Sequence, residues 1–218
     1  MLRAAFGDAP TELKYYWFME YDWEGVPLVI SRTGWSSELG YEIFLRDGSA
    51  GDRLWEHLMA VGAPLGLKPG HTSSIRRIEA GMLSYHADMT LSNNPYELGL
   101  ERLVSLEIEA DFVGKSALAK IAEEGVKQCF VGLELDGDAL VGSNDTFWTV
   151  KSKNARVGYV TSAVFSPRLG KNIALAMVAK EMSAVGTLLV VETELGSRGA
   201  CVVPKPFYDP LKAIVSKS

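Results

Sequence analysis

Two hydrophobic periods divide the chain. Up to about residue 125, short alternating runs mix with stripes at helical spacing; beyond it, nearly every apolar run has strand length and is bounded by turn residues. In the first stretch, YYWFMEY (Tyr15–Tyr21) and PLVISR (Pro27–Arg32) flank the polar, glycine-containing DWEGV, a pattern that predicts a β-hairpin. SSELGYEIFL (36–45) supplies a third strand. GDRLWEHLMAVG (51–62) carries an apolar stripe at Leu54, Trp55, Leu58 and Met59, with Asp52 placed to cap and Gly62 to close, and so predicts a helix. HTSSIRRIEAGML (71–83) predicts a second, with Thr72 or Ser73 as N-cap and Ile75, Ile78 and Met82 on one face. DFVGKSALAKIAEEG (111–125) predicts a third, ending at Gly125.

From Val126 onward, strand-like runs recur at Cys129–Leu135, Thr146–Val150, Val157–Phe165, Asn172–Val178, Gly186–Glu194 and Ala200–Val203. DGD, GSND, KSKN, SPRLG and GSRG separate them. Short strands at this spacing predict a small all-β barrel or sandwich. The fold class is therefore α+β, with a mixed region over 1–126 and a β domain over 127–218.

Composition narrows the function. A net charge of −5 disfavours nucleic-acid and anionic-membrane partners, which need a basic field. Cys129 and Cys201 are the two cysteines, far apart and outside any CxxC, so neither a disulfide framework nor a zinc site is implied and a reducing cytoplasmic location is expected. No apolar run approaches the roughly 20 residues that span a bilayer. His57, His71 and His86 have no metal-ligand spacing, and no Walker A, GxSxG or GxGxxG motif occurs.

Glu42 is the most informative carboxylate. Alternation places Tyr41, Ile43 and Leu45 on one face and Gly40, Glu42 and Phe44 on the other. A carboxylate beside an aromatic ring, with a glycine leaving space, can floor a ligand site; a planar heterocycle with adjacent N–H donors, such as a pterin, would match its two oxygens. From the pattern alone, a solvated strand glutamate is the reading that comes first. Trp35 can stack on such a ring or pack in the core. In RRIEAGMLSYHADM (76–89), an Arg–Glu pair reads as a surface ion pair.

Taken together, these segments resemble one family. SRTGWSSELGYEIFL (31–45) is similar to a signature of the glycine cleavage T-protein (aminomethyltransferase) superfamily, and RRIEAGMLSYHADM to its R-L-E-A-G helix followed by a Tyr and an acidic residue. NNPYELGLERLVSLEIEADFVGKSAL (93–118) resembles the linker, and GYVTSAVFSPRLGKNIALAMV (158–178) the C-terminal barrel. The resemblance implies a tetrahydrofolate-dependent one-carbon transferase, with folate in the central hole of a three-domain ring and a small-molecule methyl or aminomethyl donor. It implies that Glu42 reads the pterin, that Trp35 and Phe44 line the site, that Tyr208 in PKPFYDP reaches the ligand, and that Arg77 and Glu79 are structural supports.

Two departures qualify the resemblance. Aminomethyltransferases carry an Arg four residues before the Arg of R-L-E-A-G; here that position is Ser73, and SYHADMTLSNNPYELGL (84–100) is closer to the demethylases that move a methyl group onto tetrahydrofolate. Nothing before Tyr15 resembles the family's N-terminal segment, which carries the catalytic acid and half of the folate cradle. The expectation is thus an incomplete enzyme, inactive alone, in which no residue is identified as the catalytic acid or base and self-association is plausible. A folate-binding or regulatory protein of the same fold without transferase activity is the alternative.

Overall fold

The computed structural model describes residues 1–71 and 73–216, which form two compact units. The first holds Met1–Ser73 and the C-terminal residues from Leu211; the second holds Ser74–Pro210. No helix among the described residues is long and apolar enough to cross a membrane.

The first unit contains helices α1 (Leu2–Phe6), α2 (Gly51–Gly62) and α5 (Ala213–Ser216) and an antiparallel sheet in the order β1 (Phe18–Trp23), β2 (Val26–Ser31), β3 (Glu42–Leu45). The hairpin forms where expected. Glu24 and Gly25 both take positive φ (52° and 81°), the backbone that a two-residue turn between twisted strands requires, and Asp22 Oδ1 accepts from Gly25 N–H at 2.9 Å. One face of the sheet is buried: Trp23, Val26, Leu28 and Ile30 join Phe6, Leu13 and Leu54, with Tyr41, Ile43 and Leu45 packed against them.

Several predicted details of this unit shift. The third strand is only Glu42–Leu45, and residues 32–41 are irregular. Asp52 lies in the first turn of α2, whose N-cap is Ala50; Asp47 instead caps the preceding 3₁₀ turn by accepting from Ser49 N–H. Trp55 is 55% exposed, so the buried stripe of α2 centres on Leu54. Gly62 is helical and buried, and its missing Cβ would stand 2.4 Å from Leu67 Cδ2, so it is small for packing rather than for ending the helix.

The second unit contains α3 (Ser74–Glu79), α4 (Lys115–Glu124) and six antiparallel strands: β4 (Gln128–Leu135), β5 (Trp148–Ser152), β6 (Ala155–Ser166), β7 (Lys171–Ala179), β8 (Leu188–Thr193) and β9 (Gly196–Val203). They close into a barrel in the order β4-β7-β6-β5-β8-β9, with β9 paired back to β4, which resolves the barrel-or-sandwich alternative. Along β7, Ala174, Ala176 and Val178 fill the barrel interior, while Ile173, Leu175 and Met177 lie beneath Ile78 of α3 and Leu98. Helix α3 is half the predicted length: it ends at Glu79, and Gly81 (φ 63°) turns the chain away before Met82. Thr72, one of the two expected caps, lies outside the described residues; α4 ends at Gly125 as expected.

Candidate functional site

Strand alternation fixes where Glu42 points. The cross-strand register pairs Ser31 with Glu42 and Val29 with Phe44, and Phe18 with Ser31, so these residues share the sheet face opposite the core. That face is open, with Phe18 66% and Phe44 53% exposed and the Glu42 side of β3 facing solvent. Glu42 is nonetheless held. Ser31 and Thr33 hydroxyls lie 2.9 Å apart, and Thr33 Oγ1 donates to Glu42 Oε2. One carboxylate oxygen is thereby oriented, and Oε1 stays available to accept.

The loop between β2 and β3 is anchored by Arg32. Its buried guanidinium donates to the carbonyls of Leu13 (2.9 Å) and Val215 (3.1 Å), tying three segments of the unit together. Trp35, further along this loop, is 40% exposed, so it is not a core residue. A shallow depression in the loop is lined by Tyr15, Arg32, Thr33, Glu38 and Gly40 among others, and not by Trp35, Glu42 or Phe44. Burial and the neighbouring Tyr16 hydroxyl push the Tyr15 phenol up to about 12.

In the second unit, a buried polar network joins α3 to the barrel. Asp88, 3% exposed, accepts from Arg77 Nη1 (2.7 Å), Ser84 N–H (2.9 Å), Thr161 Oγ1 (2.6 Å) and Ser162 Oγ (2.7 Å). Two adjacent strand residues can reach one carboxylate because the β6–β7 register slips between Val160 and Ser162, a bulge that frees Thr161 from the alternation. Arg77 Nη2 also donates to Ser162 Oγ at 2.8 Å. Glu79, 2% exposed, accepts from Ser166 Oγ (2.6 Å) and Arg76 (3.0 Å), and Arg168 lies 3.7 Å away. The Arg–Glu pair read as a surface pair is therefore half of a buried cluster. Tyr208 belongs to this unit: its N–H donates to the Glu79 carbonyl at 3.1 Å, and Arg168 sits 4.1 Å over its ring.

The structure thus brings Glu42 and Phe44 onto one open face, puts Trp35 on the adjoining loop, and places Tyr208 in the other unit, held by Glu79 and Arg168. Asp88 and Thr33 were not singled out by sequence. The acidic residue after the R-x-E-A-G helix was the available signal for Asp88; Thr33 gave none beyond its place in the signature. His57 is structural: Nε2 lies 3.1 Å from the Ala5 carbonyl, and the ring packs 5.0 Å from Trp23. Both cysteines are free.

An α+β unit with a polar carboxylate on an open sheet face, together with a closed six-stranded barrel locked to an R-x-E helix, defines the chain's class structurally. Two family models match it: the GCVT N-terminal domain over residues 1–108 and the glycine cleavage T-protein C-terminal barrel domain over 128–209. Dimethylsulfoniopropionate demethylase of Ruegeria pomeroyi is 35% identical over 202 residues, covering 93% of this chain and 54% of that protein. An aminomethyltransferase of Thermotoga petrophila is 41% identical over 207 residues, covering 92% and 54%. The crystal structure of glycine cleavage system aminomethyltransferase T from Bartonella henselae superposes with a TM-score of 0.79 at 23% identity, over 91% of this chain and 54% of that one, and shares its fold. The chain belongs to the glycine cleavage T-protein (aminomethyltransferase) superfamily. It spans about half the length of the curated relatives it matches.

Proposed function

We propose that the chain is part of a tetrahydrofolate-dependent one-carbon transferase in which Glu42 reads the pterin. The observation that carries this is the held carboxylate on the open face: Thr33 fixes one oxygen, and the other is presented beside Phe44. The donor set suits the cofactor, since a pterin edge offers adjacent N–H donors that a carboxylate can accept and an aromatic ring can cover its plane. Bound tetrahydrofolate would supply N5 as acceptor of the one-carbon unit. The chain's own contribution is orientation, from Glu42 at the pterin edge and from Phe44 and Trp35 at its faces. Tyr208 is retained as a further ligand contact, since its ring is only half buried.

The donor is proposed to be a methylated small molecule rather than an aminomethyl group. Ser73 stands where aminomethyltransferases carry an arginine, and a demethylase is among the relatives. We keep the division into a folate-binding region over 1–126 and a barrel domain over 127–218. The proposal includes that the chain orients folate and does not turn over alone. The experiment is a methyl-transfer assay on the chain with tetrahydrofolate and a sulfonium, aryl ether or methylamine donor. No turnover is expected; measurable turnover would show that the chain carries a complete active site.

A further inference from the structure

The hydroxyl that holds Glu42 is itself held. Ser31 ends β2, Thr33 follows two residues on, and Glu42 opens β3 directly across from Ser31. Ser31 Oγ and Thr33 Oγ1 lie 2.9 Å apart, and Thr33 Oγ1 donates to Glu42 Oε2. Chemistry fixes the direction of both bonds. An ionised carboxylate only accepts, so the one Thr33 hydroxyl proton is committed to Glu42, and the Thr33 oxygen accepts from Ser31.

Burial supports that direction. Ser31 is 8% exposed, and Thr33 is the one hydrogen-bond partner of its hydroxyl among the described residues. A hydroxyl so placed donates to the acceptor within reach. Arg32, between the two hydroxyls, fixes their spacing. Its N–H donates to the Trp17 carbonyl (2.9 Å), its carbonyl accepts from Tyr16 N–H (3.1 Å), and its guanidinium is buried on the Leu13 and Val215 carbonyls. At the other end Glu42 is exposed, and Oε1 has no partner among the described residues.

We infer that Ser31 and Thr33 are positioning residues for Glu42. Ser31 donates to Thr33 and Thr33 to Glu42, a directed relay that locks the carboxylate in one rotamer and leaves Oε1 to the N–H donors of a ligand. The inference rests on the proposed role of Glu42 toward the pterin. Bonds in such a chain polarise one another by roughly 10–30% each, so Ser31 acts through Thr33 and more weakly than Thr33 itself.

The relay is tested first without folate, by three-bond side-chain couplings of Glu42 in the full chain. One dominant rotamer is expected in the parent and in Thr33→Ser, averaged couplings in Thr33→Val, and partial averaging in Ser31→Ala. Averaged couplings in the parent, or unchanged couplings in Thr33→Val, overturn the relay. Should Thr33→Val fail to fold, unchanged couplings in Ser31→Ala overturn it as well. The ligand side is read by titrating 5-methyltetrahydrofolate and following the Glu42 amide. Thr33→Val should weaken binding about fivefold or more, the effect of loosening a charge-assisted contact, and Ser31→Ala about twofold, while Thr33→Ser stays close to the parent. Parent-like binding in both Thr33→Val and Ser31→Ala overturns the positioning role. A parent with one rotamer and no folate response at Glu42 contradicts the folate reading and the positioning role that rests on it, with the relay upheld by the couplings.

Discussion

Replacing Asp88 should damage the barrel-containing unit more than any other single deletion in its polar network. The carboxylate is buried with four donors on it, among them the Arg77 guanidinium, itself 7% exposed. Asp88→Ala takes the paired carboxylate away from that buried guanidinium, a loss of about 3–5 kcal/mol. With a urea m-value of about 2 kcal/mol/M, a loss of about 4 kcal/mol lowers the unfolding midpoint by about 2 M. Trp148 is the one tryptophan of this unit, so ¹⁹F spectra of fluorotryptophan-labelled chain report its unfolding separately from the four in the other unit. Arg77→Met should cost less, because Asp88 keeps three donors. In the double variant the two losses should fall short of their sum by about 1.5–3 kcal/mol, the signature of a direct pair. A midpoint for Asp88→Ala within about 0.3 M of the parent, or additive losses within about 0.5 kcal/mol, would refute the reasoning.

Other outcomes follow from the same coordinates. Gly158→Ala should destabilise the barrel by about 2 kcal/mol or more, since its Cβ would stand 2.2 Å from the Met177 carbonyl oxygen and 2.8 Å from Val178 Cα, both backbone atoms; an unchanged melting curve contradicts this. Lys205 has a lowered folded-state pKa, so its charged form is penalised on folding; that penalty is fully present below the folded-state pKa and is relieved as pH rises from the folded toward the unfolded pKa, a trend absent in Lys205→Met. Tyr15 is raised to about 12, so the stability it contributes should be intact below about pH 10 and lost as pH rises toward 12. Absorbance titration of the parent against Tyr15→Phe should show one late phenolate, and its absence from the difference contradicts the assignment.

The barrel strands are readable from sequence because period-two alternation and turn residues are local signals. Closure is not, since β4 pairs with β7 and β9 across long stretches of chain. Neither could the burial of Glu79 be read: the spacing from Arg76 says the two can pair, and says nothing about Ser166 and Arg168, which the fold brings to the same carboxylate. The same blindness makes Trp55 look like core. Asp88 is a lone acidic residue in a non-periodic segment, and its importance comes from a bulge in β6 that no sequence rule marks. Alternation did place Glu42 and Phe44 together on one face, and Ile43 and Leu45 on the other. What alternation could not supply was Thr33, which turns an exposed carboxylate into an oriented one.

The central claim is that Glu42 reads the pterin, and a titration of the chain with 5-methyltetrahydrofolate, followed by backbone amide shifts, tests it most directly. The affinity of the chain alone should be weak. The account predicts concentration-dependent shifts at Thr33, Glu42 and Phe44, abolished by Glu42→Gln, which replaces one acceptor oxygen with a donor facing the pterin N–H groups. Shifts confined to other residues, or an undiminished response in Glu42→Gln, would contradict it.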